Sequence, residues 1–220
     1  MSDIGKTITE SVRFISKVGD QIESLVIIIQ EELSKAIKEM KYFNLVLDNE
    51  WGEDTRYQDN DWVLTDYAYC IGLKFKGKGN KKAAGYLGFQ ISLFGDGMEI
   101  EGNEEPLLHI CWWDDEFDFE ESNYFGVPFD EEEEFIVQNG VLVNFTPLYE
   151  SVSDQRWSYS LRLTSINTPE DVKNKIAIPV LRLFNEGIKG ALASLDDLKE
   201  KGLVQYEQIA GQPGYLRLIS

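Results

Sequence analysis

The chain has 220 residues, of which 43% are hydrophobic and 12% aromatic, and a formal net charge of −18. That apolar content can fill the core of one large domain and excludes wholesale disorder. From Ala83 to Gln155 there is no Lys or Arg, while eighteen Asp and Glu fall in the same stretch, so the whole formal charge resides in the central third. A negative field of that size attracts cationic partners and repels nucleic acid and anionic membrane.

The opening Met1-Ser-Asp-Ile-Gly-Lys lacks the apolar core of a secretory signal, and the longest aliphatic run, Leu25 to Ile29, is too short to span a bilayer. A soluble cytoplasmic protein is expected. Residues 3–41 read as helical, because Ile22, Leu25, Val26, Ile29, Leu33, Ala36, Ile37 and Met40 recur at helical spacing. Gly19-Asp20 is expected to divide a short first helix from a longer second one. Residues 42–50 begin the sheet, and Gly52 to Asp61 reads as a polar loop.

Beyond that loop the apolar period shortens to that of strands. Trp62 to Lys76 and Ala84 to Phe94 flank the turn Gly77-Lys78-Gly79-Asn80 and predict an antiparallel hairpin. Pro106 to Trp113, Glu134 to Tyr149 and Arg156 to Ile166 supply further strands. Thr168-Pro169-Glu170-Asp171 then combines a capping hydroxyl, a proline at the first helical position and an acid at the third. A helix from Pro169 to about Ala193 follows, kinked near Ile178 because Pro179 cannot donate a backbone hydrogen bond. Asp196 to Lys201 adds a short helix ended by Gly202, and Leu203 to Ile209 with Tyr215 to Ile219 closes as a small hairpin around Gly211-Gln212-Pro213-Gly214.

This order predicts an α+β fold: an antiparallel meander sheet of about five to six strands with N-terminal and C-terminal helices packed on it. One domain is expected over 1–220, with N-terminal helices at 3–41, the sheet at 42–166 and a C-terminal helical region with a hairpin at 168–220.

Two acid clusters stand out, Asp114 to Glu121 and Asp130 to Glu134, without local cations and interleaved with Trp112, Trp113, Phe117, Phe119, Tyr124, Phe125, Phe129 and Phe135. Solvating acidic tails are poor in aromatics, so this segment is expected to fold against the sheet and display its acids. Asp114, Asp115, Glu116, Asp118 and Glu120 are the candidate charges of a partner-binding surface, with Trp113, Phe117, Phe119 and Tyr124 as its anchors. A plainer reading has the acids as a solvated rim and the aromatics as core. No segment reproduces the spacing of a calcium loop.

Other chemistry has weaker signals. Cys70 and Cys111 lie in apolar runs without a Cys-x-x-Cys pair, and His109 is the single histidine, so neither a disulfide framework nor a zinc site is expected. His109 and Cys111 share one side of a strand, a conceivable Cys-His pair without a flanking signature. Lys74, Lys76, Lys78, Lys81 and Lys82 crowd the hairpin tip but lack the ending of a phosphate-binding loop and open no helix.

The reading that results is an acidic binding or inhibitor protein that occludes a basic macromolecule, such as a nucleic-acid-binding protein or a nuclease toxin, with no catalytic residue, cofactor or metal and no direct contact to nucleic acid or membrane. In acidity and size it resembles immunity proteins and nucleic-acid mimics, a likeness of composition without a shared motif. Two alternatives stay open. One is a hydrolase-like or nuclease-like enzyme with a carboxylate and His109 between sheet and helices. The other is a structural subunit docking through the aliphatic stripe Ile22 to Met40.

Overall fold

The computed structural model describes residues 2–46, 50–57, 62–77, 82–93, 100–101, 105–116, 119, 135–145, 156–210 and 216–219. Its first element, α1 (Ser2–Glu39), is one continuous helix of 38 residues, not the two helices expected on either side of Gly19. Glycine in a helix interior costs only about 1 kcal/mol, and the apolar phase runs through it unbroken, from Ile15 and Val18 to Ile22. The half after Gly19 is core: Ile22, Val26, Ile29, Leu33, Ala36, Ile37 and Met40 are all buried.

That stripe packs on one face of a sheet. Its strands are β1 (Phe43–Leu45), β2 (Gly52–Tyr57), β3 (Leu64–Phe75) and β4 (Gly85–Ser92), then β6 (Leu107–Trp113), β7 (Ile136–Gln138), β8 (Leu142–Asn144) and β9 (Trp157–Arg162). Among the described residues the order is β1-β3-β4-β6-β9-β8-β7, with β2 also on β3, eight strands in all. The expected hairpin is present as β3 and β4, with Asp66 opposite Ser92 and Leu73 opposite Gly85. Two features depart from the simple meander. The Gly52 stretch is a strand, an edge paired with β3 that buries neither face and so carries no apolar alternation. Past β6 the order also reverses: β9 pairs with β6, and β8 and β7 continue outward to the edge.

The stretch read as one strand from Glu134 is two, β7 and β8, folded at Asn139-Gly140, where φ is 51° and 72°. Positive φ at both central residues is what a tight hairpin asks for, and Asn-Gly supplies it at least strain. A second small sheet joins β10 (Tyr206–Gln208), antiparallel to β11 (Leu216–Leu218), with β5 (Ile100–Glu101) parallel to β11. The closing hairpin is thus present, and its turn at 211–215 lies outside the described residues.

The C-terminal helical region starts as expected. Thr168 caps α2 (Pro169–Val172), its hydroxyl accepting from Asp171 N while the Asp171 carboxylate accepts from Thr168 N. The proline is absorbed differently from a simple kink: Lys173–Ala177 widens into a π-helical turn before α3 (Ile178–Asp196). Pro179 has no N–H for the carbonyl of Lys175, and the Tyr159 hydroxyl, 3.2 Å away, donates to it instead. The helix bends again at Gly187, where φ is 72°. A 3-10 turn, Lys199–Lys201, ends at Gly202, as expected. Phe184 of α3 meets Trp112, Phe43 and Trp157 edge-on at 5.0, 5.1 and 5.9 Å, tying the helix to the middle of the sheet. Among the described residues no helix is long and apolar enough to cross a membrane.

Candidate functional site

The two faces of the sheet differ in chemistry. Leu108, Ile110 and Trp112 of β6 point into the core under the helices, so His109, Cys111 and Trp113 point to the opposite, outer face. His109 therefore does not lie between sheet and helices. Across the outer face Gln90, His109 and Ser160 stand in one row, each fully buried. The His109 ring bonds Ser160 Oγ through Nδ1 at 2.7 Å, and Gln90 Nε2 donates to Asp66 Oδ1 at 3.1 Å. Burial pushes the His109 imidazole down to about 3, so it is neutral at physiological pH. Burial also raises Asp66, against the neighbouring polar groups of Ser92, Thr65 and Gln90, which favour its charged form.

Nothing in this row meets solvent. The Cys111 thiol faces Gly88 O at 3.7 Å and is pushed well up by burial, which makes it a poor nucleophile despite its place beside His109. The lysine hairpin is likewise structural where it is described. Lys76 Nζ bonds the carbonyl of Met40, clamping the end of α1 to β3. Lys78 and Lys81 lie outside the described residues. Among the described residues no three His, Cys, Asp or Glu side chains converge to hold a metal ion.

The acidic candidates divide. Asp114, Asp115 and Glu116 leave the end of β6 into solvent, and all three are exposed. Arg156, the first cation after the long cation-free stretch, reaches Asp114 at 3.9 Å and lies 4.9 Å over the ring of Trp113. Trp113 also packs edge-on against Phe145 at 5.0 Å, so the ring expected to be an anchor is half-buried and capped by its own chain. Phe119 turns inward too: it packs on Ala68, Cys70 and Cys111, and its N–H donates to Asp54 Oδ2 at 2.7 Å. Phe117, Asp118, Glu120, Tyr124 and the cluster Asp130 to Glu134 lie outside the described residues.

Tyr86, opposite Trp113 on β4, reports the local field. Its phenol is raised first by burial, then by the charge of Glu116 and the hydrogen bond to it, and by the charge of Asp115. It is a neighbour of the acids that the sequence did not single out, although strand pairing between β4 and β6 places it there. Comparison with family models, curated proteins and solved structures finds no match to the chain.

Proposed function

We propose that this protein is a non-catalytic binding protein whose acidic surface at the end of β6 receives a basic macromolecular partner. One observation carries the reading: Asp114, Asp115 and Glu116 are exposed in succession on an ordered strand end, and Arg156 is the single cation in ion-pair range among the described residues. Such a cluster is costly to maintain unless something cationic meets it, since like charges side by side repel. Long-range attraction speeds encounter with a basic partner, and neutralisation on contact gives specificity against neutral and acidic ones. The partner class that fits best is a protein with a phosphate-binding cleft, a nucleic-acid-binding protein or nuclease toxin, occluded by carboxylates in place of phosphates.

The enzyme reading has less support, because the His109 and Ser160 pair has no solvent-accessible surface through which a substrate would reach it. The binding reading is tested by titrating the protein with a lysine- and arginine-rich polypeptide at two ionic strengths. Asp114→Asn/Asp115→Asn/Glu116→Gln is expected to weaken binding about tenfold. The charge-matched control Asp20→Asn/Glu39→Gln/Glu200→Gln should leave it near wild type. Equal effects of the two triple variants would reduce the surface to a solvated rim.

A further inference from the structure

The first half of α1 presents a second surface, independent of the acidic one. Ile4, Ile8, Val12, Phe14 and Ile15 are between 47% and 68% exposed, and every residue from Ile4 to Lys17 is exposed. Ile8, Val12 and Ile15 lie in phase with Ile22, Val26, Ile29 and Leu33, so the stripe that forms the core of the second half runs on past the edge of the body. An isolated helix of this length is marginal in water, which makes a bare four-turn apolar face an incomplete structure. The charge is arranged to match: Lys6, Glu10, Arg13 and Lys17 all fall on the opposite side of the helix, and the positions flanking the stripe are Thr9, Ser11, Ser16 and Val18. From Ile4 to Lys17 three cations against one acid give a net charge of +2, so the rest of the chain, Asp3 included, carries −20 (−18 minus 2).

We infer that the arm pairs with the arm of a second copy of this chain, antiparallel, to form a two-fold dimer. Three observations select that occupant. The face is apolar and uncharged at its seam and flanks, so it is self-complementary. It belongs to a stretch that is not acidic, net +2 from Ile4 to Lys17, and two copies meet there without opposing their acidic surfaces. Its apolar side is also the side on which the body sits. A parallel partner would drive its own Ile22 to Met40 into the sheet and C-terminal helices, whereas an antiparallel one leads its body away to the far end. The expected contact runs along Ile4 to Val18, about 22 Å at 1.5 Å per residue.

Sedimentation of the full chain across the micromolar range tests this. The wild type should reach twice 25.2 kDa, and Ile8→Glu/Ile15→Glu should remain at the single-chain mass with an unchanged circular dichroism spectrum apart from the arm. Lys6→Gln/Lys17→Gln, on the other side of the helix, should still dimerise. Spin labels at Gly5→Cys, beside the stripe and in open space, should lie about 20 Å apart in the antiparallel pair and within ~10 Å in a parallel one. A wild type that stays monomeric, a double Glu variant that still dimerises, or close labels would each overturn the inference. So would transfer of the wild-type arm from dimer to mixed neutral and anionic lipid vesicles in a flotation assay, since the occupant would then be a membrane surface.

Discussion

The two halves of α1 carry the same stripe of Ile and Val and have opposite environments. From Ile22 onward the stripe is closed over by the sheet, α2 and α3; as far as Ile15 it faces water. Periodicity sets which side of a helix is apolar, and only the tertiary arrangement sets what covers it. The second half holds the body together, and the first is free to do something else.

The largest effect that distinguishes them is in the core. Ile29→Ala, at a fully buried position, should lower unfolding free energy by about 2–5 kcal/mol in urea denaturation, as large-to-small core changes do. Next comes acid. The folded His109 stays neutral down to about 3, while an unfolded histidine protonates near 6.5. The unfolded state therefore binds the extra proton in that window, and stability falls by about 1.4 kcal/mol for each pH unit below 6.5. His109→Gln should flatten that slope. Asp66 works in the opposite sense at lower pH, because its raised carboxyl takes up a proton in the folded state first.

Smaller is the floor on which the second half of α1 rests. Thr168→Ala removes the cap of α2 and should cost about 1 kcal/mol. Asp171, held down to about 2 by Lys175 and Thr168, adds stability that is present above its unfolded value near 4 and lost as pH falls toward 2. Smallest is Ile15→Ala, expected to change unfolding of the body by less than about 0.5 kcal/mol. A loss there comparable to that of Ile29→Ala and independent of protein concentration would mean that the arm folds against the body, and the contrast between the halves would fail.

Much of this fold could be read from residues. The β3–β4 hairpin, the Thr168 cap, the turn at Gly202 and the closing hairpin each have a local chemical signal. Asn139-Gly140 had one as well, an Asn-Gly turn signal that a single-strand reading of Glu134 to Tyr149 passes over. The edge strand β2 had none, because Gly-Glu-Asp-Thr-Arg-Tyr gains its strand character from β3 alone. Nor does any local pattern say that β9 returns to β6. At the candidate site the cluster at 114–116 was legible as charge without a local cation, and the pairing of Asp114 with Arg156 from the far end of that stretch was not. The inward turn of Trp113 and Phe119 was not, since strand alternation separates two faces without saying which one is covered by a second layer.

Negative charge at the end of β6 exceeds what Arg156, the one cation in ion-pair range among the described residues, can balance, and Tyr86 measures it. Phenolate absorbance of the wild type minus Tyr86→Phe should place its titration above the ordinary tyrosine value near 10, and Asp115→Asn/Glu116→Gln or added salt should bring it down, leaving the part due to burial. A Tyr86 titration unmoved by either change would show the acids already balanced, and the binding surface would have no field with which to draw a partner.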